Sequence, residues 1–188
     1  ADAVVYKEVT YEGYGPAGVA LYVECLTDNL NRTAADVRSA FTHAGGNLGT
    51  SGSVSFQFMR KGALAIDKVI RSDDKKVPDR DNAVDEDEFM MAVAEAEGDD
   101  YEDNGEQWIV YTAYDRMQDV QKALEAQGIE VKGSELTMVP TTPTELDLPD
   151  ARKVQRLVDR LEELDDVQSV YSTMSVSDEV AEQLADEE

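Results

Sequence analysis

The order of elements along residues 62–142 limits what this 188-residue chain can fold into more than any other feature. After Gly62, which is read as a break, Ala63-Leu64-Ala65-Ile66 is an apolar run of strand length. Asp85 to Ala96 then carries Phe89, Ala92, Val93 and Ala96 at helical spacing. Asp85, Glu86, Asp87 and Glu88 stand at its start, where carboxylates complement the positive end of a helix dipole. Tyr101-Glu102 and Gln107 to Tyr114 read as strands joined by a turn at Asp103-Asn104-Gly105. Met117, Val120 and Leu124 mark one face of a second helix ended by Gly128, and Glu135 to Val139 reads as a last strand. Strand, helix, strand, strand, helix, strand is the ferredoxin-like order, so 62–142 is expected to form such a domain.

The flanking segments need each other. Tyr6 to Tyr14 and Val19 to Leu26 read as strands around the turn-rich Gly13-Tyr14-Gly15-Pro16-Ala17-Gly18. Thr33-x-x-Asp36 resembles a capping box, and the helix after it places Val37, Ala40, Phe41 and Ala44 on one face before Gly45-Gly46 stops it. Val54, Phe56 and Phe58 alternate with polar residues, a strand pattern. Beyond a linker at Thr141 to Thr144, Val154, Leu157, Val158, Leu161 and Leu164 form a helical stripe, and Val167 to Val176 reads as a strand. One helix and one strand cannot bury both of their apolar faces, so 143–188 is expected to join 1–61. The expected fold class is therefore α+β: a ferredoxin-like βαββαβ domain at 62–142 inserted into a discontinuous α+β domain, 1–61 with 143–188. Asp178 to Glu188 is expected to be a short acidic helix or a frayed tail.

Charge narrows the partners. With 17 Lys+Arg against 41 Asp+Glu the formal charge is −24, which repels polyanions as a whole. It is unevenly spread: 1–60 hold 4 basic and 6 acidic residues, 61–143 hold 9 and 21, and 144–188 hold 4 and 14. A phosphate backbone is accordingly expected to approach the first third, where Arg32 and Arg38 sit near Asn29 and Asn31. Arg152, Arg156 and Arg160 recur at i, i+4, i+8, a pattern open to a phosphate-facing stripe. Pairing of Arg156 with Asp159 and of Arg160 with Glu163 is the preferred reading. The longest apolar stretch, Gly18 to Leu26, falls far short of the roughly 18 residues of a membrane span. No signal-peptide pattern starts at Ala1, and a cytoplasmic location without membrane contact is expected.

Few residues offer chemistry. His43, the sole histidine, is expected to close a helix by complementing its dipole, and Cys25, the sole cysteine, to pack in a strand. Neither Gly-rich loop ends in Gly-Lys-Ser/Thr or leads into a helix, so neither is a usual nucleotide-binding loop, although their backbone amides could still meet a phosphate. Asp100 to Gly105 matches part of a calcium loop, but its twelfth place is Tyr111, and a hairpin turn is preferred. No metal, cofactor or small-molecule substrate is expected. A metal-assisted hydrolase would rest on carboxylate abundance alone.

Three runs carry a resemblance. Tyr11-Glu12-Gly13-Tyr14-Gly15-Pro16-Ala17-Gly18-Val19-Ala20, Glu24-Cys25-Leu26-Thr27-Asp28-Asn29-Leu30-Asn31-Arg32-Thr33 and Gly45-Gly46-Asn47-Leu48-Gly49-Thr50-Ser51-Gly52-Ser53-Val54 closely resemble the YebC/PmpR family, to which the mitochondrial translational activator of cytochrome oxidase belongs. Weaker similarity continues through Tyr111-Thr112-Ala113, Val120 to Gly128 and Leu161 to Tyr171. The resemblance implies a basic N-terminal helical domain, an α+β domain and an inserted ferredoxin-like domain. This chain opens where the first would be ending, and is expected to be a truncated fragment. The resemblance further implies a non-enzymatic regulator of gene expression, either a DNA-binding transcriptional regulator or a ribosome-associated translation factor that relieves stalling. Its partner would be DNA or ribosome/RNA, bound with help from the basic domain. By motif, the contact surface would include Tyr14, Gly15, Pro16, Asn29, Asn31, Arg32, Asn47 and Ser51, with Arg38 added on charge. The alternative is an acidic interaction module docking on a basic partner such as a ribosomal protein.

Overall fold

A computed structural model describes residues 3–82 and 85–187 of the chain. Ala1, at which no signal-peptide pattern starts, and Glu188, the end of the expected acidic helix or tail, lie outside the described residues. The fold is α+β, and its Cα positions group into two compact units, 1–59 with 139–188, and 60–138. In chain order the strands are β1 Lys7–Tyr14, β2 Ala20–Thr27, β3 Asn47–Leu48, β4 Phe58–Asp67, β5 Val69–Ile70, β6 Arg80–Asp81, β7 Asp100–Asp103, β8 Gln107–Ala113, β9 Gly133–Pro140, β10 Thr144–Glu145, β11 Val167–Ser172 and β12 Met174–Ser175. The helices are α1 Leu30–His43, α2 Glu86–Glu95, α3 Met117–Ala126, α4 Leu148–Glu162 and α5 Asp178–Ala185. Among the described residues no helix is long and apolar enough to cross a membrane.

The first unit is a sheet in the order β11-β2-β1-β3. β1 and β2 pair antiparallel from Lys7↔Thr27 to Tyr14↔Ala20 around the turn at Pro16–Gly18, and β11 joins the far edge of β2 with Val170↔Val23. This central place explains why β2 is apolar almost throughout. Val19, Leu21, Val23 and Cys25 meet Val37, Ala40 and Phe41 of α1 and Ala151, Val154, Leu157 and Leu161 of α4 in one core. The C-terminal segment thus completes a sheet begun by the first residues. α5 is docked rather than frayed: Ser177 caps it by accepting from the Val180 N–H at 3.2 Å, and Val180 and Leu184 pack on the same core.

The second unit has the sheet order β7-β8-β4-β9, the ferredoxin-like arrangement of a βαββαβ chain. Asp85 accepts from the Glu88 N–H at 2.7 Å and caps α2, whose exposed carboxylates follow in the first turn. Phe89 stacks on Trp108 with centroids 4.8 Å apart, and Tyr101 meets both rings edge-on at 5.6 Å. The expected hairpin turn is present between β7 and β8, with Gly105 at φ +85. Gly62 does not break the strand: β4 runs through it from Phe58 to Asp67. A Cβ there would press on the Thr112 hydroxyl and lie 2.7 Å from Met117 Cβ, so glycine lets α3 begin close against the sheet.

Two further local expectations are overturned. The helix α1 starts three residues before Thr33, because Asn29 is its N-cap and accepts from the Arg32 N–H at 3.1 Å. Residues 54–57 are not strand: Ser55–Gln57 form a single 3-10 turn, and Phe56 is 72% exposed.

Candidate nucleic-acid interface

The motif Thr27 to Thr33 is tied to the far end of the chain. The Arg32 guanidinium donates through Nη2 to Asp166 Oδ1 at 2.8 Å and Asp28 Oδ1 at 2.9 Å, and through Nε to Asp166 Oδ2 at 3.2 Å. Buried Thr33 donates to Asp166 Oδ2 at 2.8 Å, with Thr27 Oγ1 2.7 Å away. The hydrogen bonds of Asp166 and then Asp28 raise the guanidinium pKa further, and Arg32 followed by Thr33 holds the Asp166 carboxyl below the usual range. One cation facing two carboxylates offers no net positive charge. Arg32 is thus built into the junction of α1 with the α4–β11 loop, and Asn29 spends its side chain on the cap. Asn31 is exposed in the first turn.

The glycine loops are organised around a buried carboxylate. Glu12, 4% exposed, accepts from the N–H groups of Gly52 at 2.6 Å, Val54 at 3.1 Å and Ser55 at 2.6 Å. Burial pushes its pKa up, but these three amides together with the Ser55 hydroxyl outweigh burial and leave it lowered. The amides of Gly52, Val54 and Ser55, in the loop that could have met a phosphate, therefore already hold an anion of the protein's own. Gly13 and Gly15 serve close approach. A Cβ on Gly13 would lie 2.6 Å from the Asn47 carbonyl, and one on Gly15 2.9 Å from Leu21 Cδ1 and 3.1 Å from Leu157 Cδ2. Tyr14 is half-exposed and its hydroxyl accepts from Gln57 Nε2 at 2.9 Å, whereas Pro16 opens the hairpin turn. Asn47 pairs with Tyr14 across β1 and β3, and both Asn47 and Ser51 are exposed.

Cations gather elsewhere. Ala40, His43 and Ala44 of the α1 end face Lys153, Arg156, Leu157 and Arg160 of α4 across a groove of about 320 Å3. The pairs expected for the arginines are not formed. Asp159 instead accepts from Gln155 Nε2 at 2.8 Å, Glu163 caps the helix end, and among the described residues neither Arg156 nor Arg160 makes an ion pair. Arg152 is occupied, donating to Glu187 Oε1 at 2.7 Å. Like charges at i, i+4 cost a helix roughly 0.2–0.5 kcal/mol a pair, so the stripe is a small expense to α4 on its own. The dipole of α4 offsets part of that cost, since Arg160 occupies its last turn. Arg38 is exposed without an ion pair among the described residues, and its position two residues before Ala40 turns it away from the groove. Of the residues expected to form the contact surface, Tyr14, Gly15, Pro16, Asn29, Asn31, Arg32, Arg38, Asn47 and Ser51, none lines this groove, whereas His43, Arg156 and Arg160 do. The i, i+4, i+8 spacing of Arg152, Arg156 and Arg160 is the sequence signal for it.

Comparison with known proteins places the chain in a family. The model described as "TACO1/YebC second and third domain" matches residues 6–174. A "probable transcriptional regulatory protein" of Pseudomonas fluorescens is 49% identical over 98% of this chain and 68% of its own length. One of Clostridium acetobutylicum is 45% identical over 90% of this chain and 64% of its own length. The chain thus spans about two thirds of these relatives. A crystal structure of a conserved hypothetical protein from Aquifex aeolicus superposes with a TM-score of 0.79 at 35% identity, covering 95% of this chain and 68% of that one. Matched over residues 6–174 by the family model and over nearly its whole length by these relatives, the chain belongs to the TACO1/YebC family.

Proposed function

We propose that this protein is a non-enzymatic regulator of gene expression that works by associating with nucleic acid, as DNA or within the ribosome. The observation that carries the reading is the extent of identity, 45–49% over most of the chain, with relatives called probable transcriptional regulatory proteins. The local chemistry supports it, since Lys153, Arg156 and Arg160 present positive charge together, beside His43, on a chain of formal charge −24. A cytoplasmic location goes with such a role. The test is co-sedimentation of the chain with ribosomes and gel-shift with duplex DNA across a salt series. Association at low salt that weakens as salt rises supports the reading, and failure of both assays at low salt refutes it.

A second reading has an observation of its own. On α2 the exposed Met90 (48%) and Met91 (70%) stand beside the acidic Glu86, Asp87 and Glu88, a combination suited to a basic partner with an apolar patch, such as a ribosomal protein. Charge reversal of Asp85 to Glu88 should then weaken ribosome co-sedimentation and reduce its salt dependence, and no change would reject this reading.

A further inference from the structure

All four cations of residues 144–188 lie on α4, in a stretch that also holds 14 Asp+Glu. Arg152 is neutralised by Glu187, but Lys153, Arg156 and Arg160 converge with His43 on the α1–α4 groove, whose lining contains no carboxylate. Ala40, Ala44 and Leu157 complete that lining, and the two alanines leave the groove shallow beside the charged heads. Arg156 and Arg160 are spaced by about 6 Å along the helix axis, one helical turn. That spacing lets each guanidinium take a separate phosphate of a strand with repeating phosphates. The abundant carboxylates elsewhere on the chain repel the same strand and so focus its approach here.

The geometry points to the α1–α4 groove as the seat of a nucleic-acid backbone. Arg156 and Arg160 donate to successive phosphodiester oxygens, Lys153 adds a point charge, and His43 lies at the α1 side as a further donor. The Glu187 carboxylate, held by Arg152 and within electrostatic reach of Arg156, competes with the incoming phosphates at one end of the stripe. This inference rests on the nucleic-acid reading above and names the site of that contact.

The test is fluorescence anisotropy of the whole chain with end-labelled duplex DNA and with single-stranded RNA, from low to physiological salt. Arg156→Gln combined with Arg160→Gln should lower affinity at low salt at least tenfold and reduce the slope of log K against log salt by about 2 on duplex DNA and about 1.4 on single strands. Arg156→Lys with Arg160→Lys, which keeps both charges, should hold the wild-type slope, so that loss of charge is separated from loss of fold. Glu187→Gln should raise affinity severalfold. If the wild type binds with a salt slope and the Gln variant binds equally well with the same slope, the groove assignment is overturned while the nucleic-acid reading stands. If inorganic phosphate alone binds as tightly as either polymer and is lost in the same variant, the groove is a small-anion site and the assignment is again overturned. If the wild type binds neither polymer and no ribosomes, both readings fall together.

Discussion

Replacing Glu12 with Gln is predicted to destabilise the first unit through one identifiable loss. The carboxylate accepts from Val54 and Ser55 on Oε1 and from Gly52 on Oε2. A glutamine keeps an acceptor at only one of those positions, so its amide nitrogen would face the Gly52 N–H at 2.6 Å, donor against donor, or would turn away. An amide left without an acceptor costs about 1–3 kcal/mol, and the two surviving bonds lose charge assistance, giving roughly 2–4 kcal/mol in all. The pH dependence carries a definite sign. The folded carboxyl has its pKa held below the ordinary 4.5, so its contribution is complete at neutral pH and is lost as pH falls below that value through the folded-state titration. The gap between wild type and Glu12→Gln in urea unfolding, followed by far-ultraviolet circular dichroism, should be widest at pH 7 and shrink in acid. Hydrogen exchange at the Gly52, Val54 and Ser55 amides should accelerate by more than about tenfold in the variant. A difference below about 0.5 kcal/mol at pH 7, or one that does not change with pH, would refute the reasoning.

Asp166→Asn should cost about 1–3 kcal/mol in the same assay, because the amide keeps an acceptor at only one of the two oxygens that hold Arg32 and Thr33 and loses the charge behind the remaining bonds, at a side chain 13% exposed. As the folded Asp166 carboxyl lies below its ordinary 3.8, that cost should persist at neutral pH and decline only in stronger acid; a pH-independent cost would show another origin. Ser53→Ala should be neutral or stabilise by up to about 1 kcal/mol, since the Ser53 hydroxyl is buried without a hydrogen-bond partner among the described residues, and a loss above about 1 kcal/mol in urea unfolding would reveal an unseen partner. Cys25, 3% exposed with its thiol pushed up to about 11 by burial and then by Asp166, should resist Ellman's reagent at pH 8 until denaturant is added. Rapid labelling of the folded protein would contradict this.

The two periodicities of regular structure made most elements legible. Phe89, Ala92 and Val93 at helical spacing and the turn at Gly105 sufficed for the ferredoxin-like order because each is a local pattern. What escaped depends on partners remote in sequence. Val54-Ser55-Phe56 imitates a period of two, yet Glu12, more than forty residues earlier, draws the Val54 and Ser55 amides inward and leaves Phe56 in solvent. Arg32 looked like a free cation because its main acceptor, Asp166, lies 134 residues away. The α4 arginines failed for the opposite reason. Asp159 and Glu163 are at the right spacing, but spacing permits a pair without requiring it, and Gln155 takes Asp159. Gly62 is ambiguous in sequence, since a strand glycine signals either a break or a close neighbour, and only the position of Met117 decides between them.

Ultraviolet cross-linking of the chain to bound nucleic acid, with the attached peptides identified by mass spectrometry, tests the central claim most directly. Cross-links concentrated at the end of α1, residues 40–44, and along 153–160 of α4 are the predicted result. Cross-links falling instead on the Glu12-centred loop 49–55, or on the acidic start of α2, would contradict it.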